Sequence, residues 1–289
     1  MADLLGREES RLIKEEVRSK LEEFYNHGKR KAKLCVLLVG NDEGSITYVG
    51  SMRKAMQMAG VKFELIHYEE SIEEEEILSK VDELNLNDEV DGIFIQMPLP
   101  THMSSQKVVE RIAPHKDVDG LHPFNLGRLM IGKDAFVPCT PQGINHLIKK
   151  TGIDLVGKQA VMIGRSMSVG KPMVFLMEKE HMTVTLCHSR TQNMRFYTTQ
   201  ADVLVIAIGK AEYIDDTYVK DGAIVIDVGI NRNSEGKLVG DVNYDKVKEK
   251  ASYITPVPGG VGVMTIAMLL KNILQAYEIH IGERSWYIN

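Results

Sequence analysis

The stretch that decides the fold runs from Ala160 to Arg190. It opens Ala160-Val161-Met162-Ile163-Gly164-Arg165-Ser166-Met167-Ser168-Val169-Gly170-Lys171-Pro172. After an apolar segment it closes Thr183-Val184-Thr185-Leu186-Cys187-His188-Ser189-Arg190. An apolar run of strand length, a glycine turn, a helix start and a second apolar run predict a buried strand, a crossover helix and a parallel second strand. A βαβ unit of this kind binds a dinucleotide. Its glycines let the backbone approach a pyrophosphate, and the helix N-terminus supplies amide donors and a partial positive charge. The end of the second strand selects the dinucleotide, because an acidic residue there holds a free ribose 2′-hydroxyl. Here that position reads His188-Ser189-Arg190, with Arg165 in the preceding turn. Two guanidiniums and a hydroxyl suit a 2′-phosphate, which favours NADP over NAD. The glycine spacing departs from G-x-G-x-x-G, so these residues alone also admit a structural βαβ unit with surface arginines.

Outward from this unit the chain keeps alternating strand and helix signals. On the N-terminal side, residues 9–26 have helical periodicity through Leu12, Ile13, Val17, Leu21 and Phe24, and Cys35-Val36-Leu37-Leu38-Val39 reads as a buried strand. Residues 45–59 read as a helix with Ser45 at its N-cap and Gly60 just past its end. Residues 62–67 form a strand, and Ser71-Ile72-Glu73-Glu74 is a capping-box pattern opening a helix to about residue 86. Gly92-Ile93-Phe94-Ile95-Gln96 is a further buried strand, ending in the turn-forming Pro98-Leu99-Pro100. On the C-terminal side, Thr140-Pro141 reads as an N-cap and N1 proline opening a helix to about residue 150. Further strands are expected at 203–207 and 223–229, and a last amphipathic helix at 264–279.

Such alternation predicts an α/β protein of parallel sheets covered on both faces. Two domains are expected, with the boundary near 120–140. Residues 1–120 form one, completed by the C-terminal helix at about 264–289; residues 140–263 form a Rossmann-like nucleotide-binding domain. Parallel sheets hold ligands outside the carboxyl ends of their strands. Those ends carry Gln96 and the Pro98–Pro100 turn in the first domain. In the second they carry Gly164–Ser166, His188–Arg190, Ile208-Gly209 and Gly229-Ile230. The expected site is a cleft with the cofactor on one wall and substrate on the other.

The chain's global properties bound the rest. At 289 residues it is long enough for two ordinary cores. It is 44% hydrophobic and 26% charged, with a net charge of −5. That mild acidity argues against nucleic acid or an anionic membrane as the main partner. No apolar run reaches the ~18–20 residues of a membrane span, and the segment Met1–Glu9 lacks the apolar core of a secretion signal. Cys35, Cys139 and Cys187 form no C-x-x-C, so buried free thiols in a reducing cytoplasm are expected. No metal site is expected.

Several segments then combine: Tyr48-Val49; Gln96-Met97-Pro98-Leu99-Pro100; Lys116-Asp117-Val118-Asp119-Gly120; Gly164-Arg165-Ser166 with Val169-Gly170-Lys171-Pro172; Asp227-Val228-Gly229-Ile230-Asn231; and Pro256-Val257-Pro258-Gly259-Gly260-Val261-Gly262. In order and spacing, from about residue 5 to residue 280, they resemble the methylenetetrahydrofolate dehydrogenase/methenyltetrahydrofolate cyclohydrolase family. The resemblance implies hydride transfer from 5,10-methylenetetrahydrofolate to NADP⁺, then hydrolysis of the methenyl product to 10-formyltetrahydrofolate. It also implies a cytoplasmic homodimer. Hydride loss gives a delocalised cation without a general base, whereas the attacking water of the second step must lose a proton.

By the same resemblance, Tyr48 corresponds to the aromatic stacked on the folate, Gln96 to the polar partner beside the catalytic base, and Asp119 to the carboxylate that holds the pterin ring. Gly164, Arg165, Ser166, Ser189 and Ile230 correspond to cofactor contacts, with Arg190 an addition. Pro258, Gly259 and Gly260 correspond to a tight backbone wall against the substrate. Read without the family, Tyr48 is equally a half-buried helix tyrosine. The reading of a turn or cap aspartate fits Asp117 better than Asp119. A glutamine closing a buried apolar strand is unusual and points to function.

The sequence departs from the family pattern where a lysine should follow the tyrosine by four residues. That position is Met52. Residues i and i+4 share a helix face, so the family spacing puts phenol and amine together; methionine keeps the length and removes the amine. Lys54 lies about 200° around the helix from Met52, and the guanidinium of Arg53 is a poor base. The expectation is therefore that hydride transfer survives and hydrolysis is lost or strongly reduced. Apart from the family, Tyr48, Met52, Ala55 and Ala59 are an ordinary apolar stripe. A smaller departure is Val263, where the family has proline; it should loosen the helix start without changing chemistry.

Overall fold

A computed structural model describes residues 2–286. It divides into two compact units, Met1–Arg11 with Pro138–Met268, and Leu12–Val137 with Leu269–Asn289. In chain order the first elements are β1 (Ala2–Asp3), α1 (Gly6–Asn26), β2 (Lys33–Val39), α2 (Glu43–Met58), β3 (Lys62–Tyr68), α3 (Glu74–Leu86) and β4 (Gly92–Ile95). Then come α4 (Ser105–Arg111), α5 (Pro123–Met130), α6 (Cys139–Lys150), β5 (Gln159–Ile163), α7 (Gly170–Lys179), β6 (Thr183–Cys187) and α8 (Met194–Thr198). The last are β7 (Val203–Ile206), β8 (Ile224–Asp227), β9 (Asn231–Arg232), β10 (Leu238–Val239), α9 (Tyr244–Val247), β11 (Tyr253–Ile254) and α10 (Met264–His280).

The unit built on residues 12–137 holds a three-stranded sheet in the order β3-β2-β4, parallel throughout. The apolar runs of β2 and β4 are buried almost end to end, as strands covered on both faces must be. Cys35, Leu37, Ile93 and Ile95 pack with Ile77, Val81 and Leu84 of α3 and Val108 of α4. The C-terminal part of α10 completes this unit. Asn272 donates to the carbonyls of Val118 (2.8 Å) and Val137 (3.0 Å). A Cβ at Gly92 would lie 2.5 Å from Ile273 Cδ1, so only glycine lets β4 meet α10 this closely. Lys116 is buried and spends its ammonium on the carbonyls of Leu84, Asn85 and Asn87 at 3.1, 2.9 and 2.7 Å, which satisfies the C-terminal end of α3.

The other unit holds a six-stranded sheet, β1-β11-β8-β7-β5-β6, parallel at every pairing. This is the α/β, Rossmann-like architecture expected from the strand–helix alternation. Its core joins Val161 and Ile163 of β5, Leu204 and Ile206 of β7 and Val225 of β8 to Ile214, Val242 and Val247. All three cysteines are buried and free. No helix among the described residues is long and apolar enough to cross a membrane.

Three local expectations are corrected. The N-cap of α2 is Asp42, whose carboxylate accepts from Ser45 N at 2.8 Å, so Ser45 sits inside the first turn; Asp at the earlier position captures the amide first. The capping box at Ser71 does not form. The N-cap of α3 is Glu73 without a side-chain cap, and the Glu74 carboxylate turns away to Ser104 N and Lys107. The helix expected to open at Thr140 starts at Cys139 with Pro138 as its cap. Thr140 Oγ1 instead meets Thr265 Oγ1 at 3.2 Å, a tertiary contact that local pattern does not reveal.

One pH effect follows from this packing. His115 lies edge to face with His280, ring centroids 5.3 Å apart, and burial pushes its imidazole from an ordinary 6.5 down to about 4, with the charges of His280 and Lys116 adding to the shift. The unfolded chain therefore takes up a proton near pH 6.5 that the folded chain refuses until about pH 4. Stability from this group is full above 6.5 and is lost as pH falls through that window. Replacing His115 with Gln should flatten the acid limb of the urea midpoint against pH; an unchanged limb would show that the imidazole does not contribute.

Candidate active site

In the unit with the three-stranded sheet, the connection after β2 leads into α2. Tyr48 lies in its second turn, half-buried, and Met52 lies one turn on, fully buried. Spacing of four puts the two on one face of α2. Gln96 follows directly after β4, where its amide N–H donates to Leu37 O at 2.9 Å. The side chain is buried; Nε2 donates to Met97 O at 2.7 Å, while Oε1 is buried with no hydrogen-bond partner among the described residues. A buried acceptor left open is a position that a ligand donor or water satisfies.

Asp117 bridges Ile93 of β4, so Asp119, two residues on and half-buried, follows at the carboxyl end of the same strand. Asp117 itself is consumed by structure. Its oxygens accept from Gly120 N, Leu121 N, His122 N and Asn125 Nδ2 at 3.1, 3.3, 2.8 and 2.7 Å. Of the chain neighbours of Met52, Lys54 is exposed and Arg53 lies over the Phe63 ring at 5.5 Å from its centroid.

In the other unit the glycine turn is sterically determined. Gly164 has φ +123, and a Cβ there would lie 2.2 Å from Ala207 O. A Cβ at Gly170 would lie 2.2 Å from Gly164 O. The Ser166 hydroxyl accepts from Val169 N (3.2 Å) and Gly170 N (3.3 Å), shaping the start of α7. Thus β5, the turn and the start of α7 pack backbone against backbone at both glycines, a tight strand-to-helix turn of the kind that meets a pyrophosphate.

A cavity of about 510 Å³ opens at the carboxyl ends of β5, β6 and β7, lined by Gly164, Arg165, Ser189, Lys210, Tyr213 and Tyr218 among others. It brings Gly164, Arg165 and Ser189 together. Ser166 and Arg190 are exposed and do not line it. Ile230 lines a second cavity of about 180 Å³ with Pro258, Gly259 and Gly260. Gly259 has φ +113, and a Cβ at Gly260 would lie 2.7 Å from Pro256 O, so both positions require glycine. Sequence patterning does not single out Lys210, Tyr213 or Tyr218, which follow β7 without a motif; only the register of the sheet brings them beside Arg165.

Two buried carboxylates support these cavities, and Asp227 itself lines the smaller one. Asp227 accepts from the amides of Gly229, Asp241 and Val242, each at 2.9 Å. Burial raises its carboxyl to about 7, against the pull of those three amides. Asp241 accepts from the amides of Ile208 (2.7 Å), Gly209 (3.1 Å) and Lys210 (2.7 Å) and from Asn231 Nδ2 (2.9 Å).

A parallel sheet with a tight glycine turn beside a basic cavity of about 510 Å³, in one chain with a second parallel α/β unit, is the arrangement of a two-unit nucleotide-binding α/β protein. Residues 138–281 match the tetrahydrofolate dehydrogenase/cyclohydrolase NAD(P)-binding domain, and residues 4–119 match the catalytic domain of the same family. The chain is 49% identical over 271 residues to the bifunctional protein FolD of Bacillus pumilus, covering 94% of this chain and 95% of that one. It is similar in structure to the bifunctional methylenetetrahydrofolate dehydrogenase/cyclohydrolase FolD of Campylobacter jejuni, with a TM-score of 0.94, 45% identity and coverage of 96% and 99%. It is also similar to the Trypanosoma brucei dehydrogenase-cyclohydrolase complexed with NADP and an inhibitor, with a TM-score of 0.91, 32% identity and coverage of 97% and 98%. The chain belongs to the tetrahydrofolate dehydrogenase/cyclohydrolase family, as its motifs lead one to expect.

Proposed function

We propose that this protein is an NADP-dependent methylenetetrahydrofolate dehydrogenase whose second, hydrolytic step is strongly reduced because residue 52 is methionine. The observation that carries the folate assignment is the buried, open Oε1 of Gln96 at the end of β4, the strand that Asp117, two residues before Asp119, bridges at Ile93. The cofactor assignment rests on Arg165 and Ser189 lining one cavity with Gly164 of the glycine turn. A planar guanidinium beside a hydroxyl supports a 2′-phosphate.

NADP⁺, when bound, supplies the hydride acceptor. The chain's part is to bind and orient. Asp119 accepts the pterin's amino and amide hydrogens, Tyr48 presents an aromatic face, and Pro258–Gly260 give a tight wall in which only the proline ring projects. Ile230, exposed beside that wall, is an apolar cofactor contact. Arg190, exposed on the turn after β6, is available to a phosphate only as a flexible cation. No base is required for hydride loss, so Met52 does not impede it. Hydrolysis requires a water to lose a proton, and here Gln96 offers only an amide, which takes up no proton at neutral pH.

The relatives of Bacillus pumilus and Campylobacter jejuni, both named bifunctional, favour a second reading in which the protein performs both steps in full, with Tyr48, Gln96 and ordered water managing the hydrolysis. On the comparisons alone that reading is the better supported; the side chain at position 52 argues against it. The family resemblance further supports a cytoplasmic homodimer, which sedimentation equilibrium of the purified chain would test. The test of the dehydrogenase assignment is reduced-cofactor formation from methylenetetrahydrofolate with NADP⁺ and NAD⁺ in parallel. Turnover with a clear preference for NADP⁺ is expected; no turnover with either would overturn the assignment.

A further inference from the structure

We infer that Asp241 is a positioning residue of the nucleotide site, a carboxylate clip that fixes the loop after β7 and the loop after β8 in register. The inference rests on the NADP assignment of that site and deepens it. The three consecutive amides of Ile208, Gly209 and Lys210 all point at the Asp241 carboxylate, and Asn231 Nδ2 takes the remaining acceptor site. Ala207, Ile208 and Lys210 line the cavity that holds Arg165 and Ser189. Gly229 and Ile230 line the one closed by Pro258–Gly260. One side chain, fully buried, thus sets a wall of each.

The clip has a rigid base. Glu212 N donates to Gly240 O (2.9 Å), Ile214 N to Asp241 O (3.0 Å) and Asn243 N to Ile214 O (2.8 Å). The close fit extends to the neighbours: a Cβ at Gly229 would lie 2.5 Å from Asp241 Oδ1, and one at Gly240 would lie 1.8 Å from Asp227 Oδ2. Three parallel N–H groups on one anion form a strong charge-assisted set, and a neutral amide in its place turns a donor toward donors. Lys210 shows what is positioned. Its backbone is held by Asp241, and its ammonium lies 5.0 Å from the Tyr213 ring centroid, in the cavity of Arg165.

The test is Asp241→Asn in the full chain, with Asn231→Ala as a milder second variant that removes one of the four bonds. KM for NADP⁺ should rise about tenfold to a hundredfold in Asp241→Asn and a few-fold in Asn231→Ala, from the loss of charge-assisted and single neutral bonds respectively. KM for the folate substrate should rise less than KM for NADP⁺ in both, because the groups Asp241 holds, Ile208–Lys210 and Asn231, are not among those assigned to the folate. Should Asp241→Asn fail to fold, Asn231→Ala decides: an unchanged KM for NADP⁺ overturns the inference. Equal rises in both KM values would also overturn it, because they report general loosening. Native protein that bound no NADP⁺ would overturn the site assignment itself and this inference with it; native binding with unaltered variants would overturn the clip alone.

Discussion

Met52→Lys is expected to raise methenyltetrahydrofolate hydrolysis about 10²–10⁴-fold, the usual contribution of a positioned acid–base group, while leaving the rate of hydride transfer nearly unchanged. Residue 52 is fully buried one turn after Tyr48. A lysine there enters with its ammonium desolvated, which lowers its pKa and leaves a fraction unprotonated at neutral pH, as a base must be. The same burial carries a cost, and the variant should lose about 1–3 kcal/mol of stability for a partly compensated charge. Thermal unfolding and the decay of methenyl absorbance measure the two effects separately. Met52→Leu is the control, since it keeps the apolar volume and should change neither activity. A Met52→Lys protein that folds and hydrolyses no faster than native would remove residue 52 from the account.

Gly164→Ala should abolish useful cofactor binding and destabilise the chain by about 2–5 kcal/mol, combining left-handed strain with an unavoidable overlap. The backbone there has φ +123, and the added methyl would sit 2.2 Å from a carbonyl oxygen of the neighbouring strand's extension, which has no flexible end to move. Gly157 separates the two causes. It has φ +72 but nothing within 4 Å of a Cβ, so Gly157→Ala should cost about 1 kcal/mol and leave NADP⁺ binding alone. Urea unfolding with NADP⁺ titration of each variant makes the comparison. Retention of native affinity in Gly164→Ala would mean that the turn does not approach the cofactor.

The fold was legible because buried parallel strands are written as continuous apolar runs. Lys33–Val39, Gly92–Ile95 and Val203–Ile206 stand out from composition alone. The short strands β1 and β11 and the β9–β10 hairpin were not legible, since two residues carry no periodicity and owe their state to a neighbour. Helix starts failed where tertiary partners overrode local chemistry, as with Glu74 drawn to Ser104 and Thr140 to Thr265.

At the candidate site the visible residues were those with unusual chemistry for their place. A glutamine ends an apolar strand, glycines crowd a turn, and arginines follow a strand where an acid is usual. Asp241 escaped notice because a buried aspartate that accepts four hydrogen bonds looks, in sequence, like any aspartate before a valine. What distinguishes it is the convergence of loops distant along the chain. Met52 was conspicuous only through the family spacing from Tyr48; as a bare residue it is a buried methionine among others.

The most direct test of the central claim mixes the native protein with methylenetetrahydrofolate and NADP⁺ and follows reduced cofactor and methenyl absorbance on separate channels. Reduced cofactor appearing together with accumulating methenyl product, cleared no faster than in buffer, is the predicted result. Reduced cofactor formed without methenyl accumulation would contradict it, because water would then be activated by a group other than residue 52, and the fully bifunctional reading would stand.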